Sequence, residues 1–428
     1  MERVERKELI LNGDIYKVIM TLSLPIMLNN FIQTLYNLAD AIWVSKLGSV
    51  QFAATSFVWP IIFLFISLGI GISVAGTSIL SQLIGASQYD EANEYASQLM
   101  VVSIMFSLCF AVLGYLSTPW VVKLMGAAGD FARYSNTYLK ISFLGFPFVF
   151  LFFNFNSIMH AQGNTMAPTI LSGVSAIINV ILDPIFIFTL DMGVAGAAIA
   201  TVLSQALLVI VGIYILKKHS PMIKLKFKGF KFNKDILRKI IQIGLPSTIG
   251  QSGEALGFTV LNSFIASYGT STLAAFGMVN RITSILMQPP MGIGAALTSI
   301  VGQNIGANQL ERVEEAFKKA IKLTMVIGII GALLMLWKDS WIIDLFIRSK
   351  DDQKVITESI TYLRYISVSM PLMGIFSILQ GLFQGSGHTK HSMSMAIGRL
   401  WFIRLPMILL FKYFSQLGST GIWFSMSF

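Results

Sequence analysis

Residues 77–88 read TSILSQLIGASQ and residues 298–309 read TSIVGQNIGANQ, identical at eight of twelve positions with an offset of 221. The same offset pairs Pro25 with Pro246, Gly48 with Gly269, Ala53-Ala54 with Ala274-Ala275 and Trp120 with Trp341. With three more residues inserted, Thr137-Tyr138-Leu139 meets Thr361-Tyr362-Leu363, Pro147 meets Pro371 and Gly163 meets Gly387. Apolar helices resemble one another by chance through scattered leucines and isoleucines. A collinear register through turns and prolines is an internal duplication.

The sequence around these two segments is built for a bilayer. Of 428 residues, 54% are hydrophobic and 12% charged, with a mean hydropathy of +0.71; a soluble domain carries about 25% charged residues. Apolar windows at 52–80, 95–116, 141–159 and 193–216 each exceed the roughly 18 residues that indicate a transmembrane helix. Composition thus excludes a soluble enzyme, a nucleic-acid binder and a disordered chain. Eleven full spans are expected near 15–45, 52–83, 95–116, 135–159, 167–190, 194–216, 237–268, 273–303, 315–337, 357–382 and 391–413. A twelfth begins near 419 and has ten residues before Phe428, where the first copy supplies some 23, so it is expected to be incomplete. Six helices per copy is an even number, so both copies enter from the same side and form a parallel repeat. The expected fold is all-α and polytopic. It has two six-helix bundles about a central cavity: an N-lobe over 1–216, a basic linker over 217–236 and a C-lobe over 237–428.

The net charge of +10 then concerns topology rather than nucleic acid. Counted over the loops and the adjoining span ends, seventeen Lys and Arg fall on the N-terminal side of the membrane and eight on the other, which places the N-terminus in the cytoplasm of a plasma-membrane protein. The main contributor is 217–239, with Lys217, Lys218, Lys224, Lys226, Lys228, Lys231, Lys234, Arg238 and Lys239. Such a cluster serves topology, or holds an anionic lipid. The opening MERVERKELILNGD lacks the apolar core of a signal peptide, and the lone Cys109 forms no intramolecular disulfide.

A carboxylate at mid-bilayer costs from ~3 to over 10 kcal/mol, so each one is a functional candidate. Three qualify: Asp40, Asp183 and Glu254. On the first span Gln33, Asn37 and Asp40 fall at i, i+4 and i+7, with Tyr36 four residues before Asp40 and Asn29 one turn earlier. On the fifth, Asn179 and Asp183 share a face, and Pro184 cannot donate to the Val180 carbonyl. Asn154 and Asn156 on the fourth span, and Thr201 with Gln205 on the sixth, complete a polarity confined to the first copy. The second copy has Leu261 in the place of Asp40, and its span 391–413 carries Arg399 and Arg404 without an acid. Carboxylate, amide and hydroxyl oxygens suit a hard cation; residue types alone do not choose between Na⁺ and H⁺.

The duplicated plan, LPIMLNNFIQTLYNLADAIWVSKLG at 24–48, the paired IGA turns and NVILDPIFIF at 179–188 resemble the multidrug and toxic compound extrusion (MATE) family. The resemblance spans essentially the whole chain, and the fifth-span motif is most similar to the DinF-like branch. It implies a secondary antiporter that exports organic, often cationic and amphipathic compounds against inward Na⁺ or H⁺. It further implies Asp40, Asn179, Asp183 and Thr201 as the cation site, where Na⁺ is the metal to consider, with Gln33, Tyr36, Asn154 and Asn156 around it; Asn37 joins them by its position on the helix. Glu254, eight residues after Pro246, matches an acidic position of the NorM-like and eukaryotic branches. Those NorM-like members also carry an Asp in the tenth helix, where 357–382 has only Glu358 at its edge.

The expected partners are small organic molecules and the lipid bilayer, without nucleic acid, for a monomer that needs no cofactor beyond its coupling ion. Twenty-one Met and 32 Phe supply deformable, polarisable walls; Met278, Met287 and Met291 are placed on the cavity side or in simple packing. His160, His219, His388 and His391 lack the Cys or carboxylate company of a zinc site. There is no phosphate loop of the Walker type, and no nucleophile and base at enzymatic spacing. Arg281, Arg399 and Arg404 keep a lipid-linked or polysaccharide flippase of the same superfamily as the alternative, and a channel or receptor as the reading from another class.

Overall fold

Turn residues at the repeat offset set the punctuation of the chain, and apolar runs between them become helices. The computed structural model describes residues 3–220, 222–344 and 353–428. The side chain of His219, and residues 345–352 of the loop after the expected ninth span, lie outside that description. Among the described residues every regular element is helical. A short α1 (Arg3–Asn12) precedes α2 (Ile15–Ser45), α3 (Ser49–Gly85), α4 (Tyr89–Leu124), α5 (Gly129–Ala161), α6 (Met166–Pro184) and α7 (Gly193–His219). The second half comprises α8 (Lys234–Ala266), α9 (Thr270–Leu286), α10 (Gln288–Gly306), α11 (Leu310–Trp337), α12 (Asp339–Asp344), α13 (Gln353–Gly385), α14 (Thr389–Ile397), α15 (Leu405–Phe414) and α16 (Ser419–Met426).

Three expected spans are broken, each for a local reason. The span at 273–303 is α9 and α10, bent by 49° where Pro289 and Pro290 start the second piece. That at 167–190 leaves α6 at Pro184 and finishes as a π-helical turn, Ile185–Thr189. Its counterpart carries the π turn Gly398–Arg404 between α14 and α15. Among the described residues nine helices are long and apolar enough to cross a membrane, and the bent pair makes a tenth. The expected seventh span, α8, has the length at 33 residues but falls outside that set, because Gln242, Ser247, Thr248, Gln251, Ser252 and Glu254 dilute it. Several of these face other helices: Ser252 shares a hydrogen bond with Ser67 at 2.5 Å.

The duplication is visible in the backbone. Ser87 and Asn308 both take positive φ, at 61° and 58°, as do Gly48 and Gly269 at 131° and 113°. Packing repeats as well: α2 lies on α6 as α8 lies on α14, and α3 on α8 as α10 on α2. The duplicated segments themselves form the seam between the halves. A Cβ on Gly85 would strike the Gln303 carbonyl, and one on Gly306 would strike that of Gln82, which is one contact made twice. Gln82 Nε2 also donates to the Gly385 carbonyl at 2.9 Å and Gln303 Nε2 to that of Ala161 at 2.7 Å. Burial in a bilayer does not separate apolar side chains from lipid tails, so close approach at small residues and interhelical hydrogen bonds must hold such a seam.

The linker is strapped along α4 rather than loose. The backbone N–H groups of Lys224 and Lys226 donate to Asn93 Oδ1 and Ser97 Oγ at 2.6 and 2.9 Å. Gln98 Nε2 donates to the Lys231 carbonyl at 2.7 Å.

Candidate functional site

Helical periodicity aligns Asn29, Gln33, Tyr36 and Asp40 along one face of α2. The first three border a cavity of about 290 Å³, closed by Ile66 of α3, by Val149, Phe152, Phe153 and Asn156 of α5, by Ser172, Ser175 and Ala176 of α6 and by Gln205 of α7. Its walls are mostly apolar and aromatic, with amides and hydroxyls set among them.

At the far end of the same stripe lies the acidic cluster. Asn179 and Asp183 are fully buried, because the π turn after Pro184 and α7 press together there; a Cβ on Gly196 would meet the Phe186 carbonyl. Asn179 Nδ2 donates to Asp183 Oδ1 at 3.3 Å and reaches Thr201 Oγ1 at 3.5 Å, and Tyr36 donates its hydroxyl to Thr201 Oγ1 at 3.3 Å. Asp40 follows Tyr36 by one turn on the same face of α2. Three oxygens in this cluster, Asp40 Oδ1, Asp183 Oδ2 and Asn179 Oδ1, are buried without a hydrogen-bond partner. Buried acceptors without donors are costly, and carboxylate and amide oxygens are ligand types that suit a hard cation.

The second half handles its acid differently. Glu254 of α8 accepts from Arg399 Nη2 at 3.0 Å, with side chains 20% and 17% exposed, and Arg399 also lies 4.2 Å over the Phe376 ring. Trp401 Nε1 ties the same π turn to the Gly253 carbonyl at 2.8 Å. Arg404 is buried and donates to the Met426 carbonyl at 2.9 Å. Glu358 accepts from Ser419 and Trp423 at 2.6 and 2.8 Å. Among the described residues no group of three or more His, Cys, Asp or Glu is placed to hold a metal ion.

The MatE family model matches residues 25–185 and again 246–410, two matches that begin 221 residues apart, like the repeat itself. The chain belongs to the MatE family. Among its relatives, the probable multidrug resistance protein YoeA of Bacillus subtilis (strain 168) is 26% identical over 407 residues, covering 93% of this chain and 87% of YoeA. The multidrug export protein MepA of Staphylococcus haemolyticus (strain JCSC1435) is 28% identical over 415 residues, 97% of this chain and 90% of MepA. The crystal structure of a MATE protein in complex with MaL6 superposes with a TM-score of 0.92 at 29% identity, covering 98% of this chain and 94% of that one.

Within this MatE fold most of the expected site residues converge. Asp40, Asn179, Asp183, Thr201 and Tyr36 form the cluster; Gln33 and Asn156 line the cavity. Three expected cavity residues are placed elsewhere. Asn154 is fully buried and accepts from Ser103 Oγ at 3.2 Å, between α4 and α5; two residues from Asn156, it points to the opposite side of the helix. Asn37 is exposed on the stripe that carries Gln33 and Asp40 but does not border the cavity. Glu254 belongs to the ion pair of the other half. The sequence reading passed over Tyr138, which packs beside Trp43 and Leu47 around Val44 and Ile187. Its position in the duplicated Thr-Tyr-Leu block was the available signal, and the counterpart Tyr362 donates to Asn280 instead. Met278 and Met287 belong to the apolar core of the second half.

Proposed function

We propose that this protein is a cation-coupled antiporter that exports organic, often cationic and amphipathic compounds, as its relatives' names suggest for drugs, with Na⁺ or H⁺ as the returning ion. The observation that carries the reading is the set of three buried, unpartnered oxygens on Asp40, Asp183 and Asn179. Carboxylates so placed bind something positive or carry a penalty of several kcal/mol. Thr201 and Asn179 supply neutral ligands, and the adjoining amphipathic cavity takes the organic compound. Cation and compound then exclude one another at one site served alternately from two sides. One cation moving inward down 100 mV releases about 2.3 kcal/mol, which sustains a roughly forty-fold gradient of an uncharged compound; one-for-one exchange with an organic cation is electroneutral and draws on the coupling ion's concentration gradient instead.

In this reading residues 1–216 and 237–428 are lobes that rock about the glycine seam, joined by the 217–236 linker. The chain acts as a monomer in the plasma membrane, with its N-terminus and linker cytoplasmic, and carries out no enzymatic step. The flippase alternative draws no support from Arg399 and Arg404, since one is paired with Glu254 and the other serves a backbone carbonyl. Purified protein in liposomes, tested with Na⁺ and H⁺ gradients applied separately, should expel a cationic dye under at least one of them. Dye movement that equilibrates without uphill accumulation would indicate a channel and end the antiport reading.

A further inference from the structure

The basic linker and the outer face of α8 meet a second cavity, which shares no lining residue with the one that Gln33, Tyr36 and Asn156 border. It is a groove of about 600 Å³ between α3, α4 and α8, walled by Leu68, Ile72, Phe106, Phe110, Ile241 and Leu245, with Phe232 of the linker at one end. Ile241 and Leu245 are more than half exposed. Lys234, Arg238, Ile241 and Leu245 follow at i, i+4, i+7 and i+11, so the two cations stand on the same face of α8 as the groove wall. Side chains on a helix lean toward its N-terminus, and Lys234 is the first residue of α8, so both cations crown the end of the groove nearest the linker. Both are exposed, and among the described residues neither makes an ion pair or side-chain hydrogen bond. The neighbouring acids are partly committed elsewhere: Asp90 pairs with Lys226 at 3.1 Å and Glu94 accepts from Asn233 at 3.1 Å. Asp235 stands beside Lys234 in the first turn. Lys228, Lys231 and Lys239 keep the local balance positive.

An apolar slot with unpaired cations on the preceding turns of the same helix face offers what the acyl chain and headgroup of one anionic lipid need. We propose that the groove is a binding site for a single anionic phospholipid, one acyl chain along α3, α4 and α8 and the phosphate on Lys234 and Arg238. The site lies on the joint between the halves: Thr248 and Gly244 of the groove are the residues that a Cβ on Gly71 would strike. An occupant would therefore stiffen or loosen the α3–α8 contact.

The test is native mass spectrometry of the full chain in mild detergent, supplied with equal amounts of phosphatidylglycerol and phosphatidylcholine. The wild type should retain one phosphatidylglycerol in preference. Lys234→Gln with Arg238→Gln should bind it about 30-fold more weakly, the change expected from two interfacial cations. Lys217→Gln with Lys218→Gln removes the same charge away from the groove and should leave retention unchanged. Ile241→Trp keeps every charge but fills the slot, and should release the lipid from a chain that still elutes as the wild type on gel filtration. Equal retention of both lipids, equal losses in the two double variants, or wild-type retention by Ile241→Trp would each overturn the proposal.

Discussion

The two halves of this molecule descend from one sequence, yet they solve the problem of a carboxylate in a membrane in opposite ways. In the first half Asp40 and Asp183 are surrounded by Asn179, Thr201 and Tyr36, neutral groups that leave three oxygens free. In the second half Glu254 is met by Arg399 at 3.0 Å, a cation that cannot leave. The position of Asp40 is occupied there by Leu261, fully buried in the apolar core. Acids meet neutral side chains in one half, and an acid meets a tethered guanidinium in the other. Duplication supplies the scaffold twice, and a few intramembrane side chains decide which copy does work.

The most severe way to break this contrast is to neutralise the first half. Asp40→Asn and Asp183→Asn should each reduce gradient-driven efflux in liposomes to the level of empty vesicles, with normal elution on gel filtration. Uphill pumping by Asp40→Asn at the normal rate would remove the basis of the coupling scheme. On the other side, Arg399→Gln strands Glu254. Because the pair keeps about a fifth of its surface exposed, the loss should be about 1–3 kcal/mol, below the range for a fully buried pair, read as a lowered denaturation midpoint in detergent. Adding Glu254→Gln should restore most of it, and calorimetry should count one extra bound cation only in the Arg399→Gln single variant.

The seam tests what the halves still share. Since Gly85 meets Gln303 as Gly306 meets Gln82, Gly85→Val and Gly306→Val should each destabilise by about 1–3 kcal/mol through overpacking, and by similar amounts. Asn179→Ala and Thr201→Ala should raise the cation concentration needed for half-maximal transport more than they change dye affinity, because each removes one neutral oxygen. The smallest effect separates two neighbours. Asn154→Ala should cost about 1 kcal/mol of stability through the lost Ser103 bond and leave the range of exported dyes intact, whereas Asn156→Ala should alter that range with little change in stability.

Much of the architecture was legible before any coordinates. The offset of 221 paired the IGA turns, where Ser87 and Asn308 both take positive φ, and helical spacing on α2 put Gln33, Tyr36, Asn37 and Asp40 on one stripe. What escaped was side-chain direction across helices. Asn154 and Asn156 look alike as intramembrane amides, yet one packs against α4 and the other faces the cavity. Glu254 reads as an isolated acid, since its partner lies 145 residues away in sequence. Tyr138 carries no local polarity signal and meets Val44 and Ile187 only once α5 has packed on α7.

The sequence by itself determined that this chain crosses a membrane, that it is two copies of one unit, and which residue types each copy holds at depth. Hydropathy and periodicity are local properties, summed over windows of one or two helices, so they survive without tertiary information. Only the tertiary structure decided which acids stand near each other and which of them is answered by an arginine. Coulomb attraction and hydrogen bonding act over a few ångströms between helices far apart in the chain. The register that brings Asn179 to Thr201, or Arg399 to Glu254, exists only once those helices have packed.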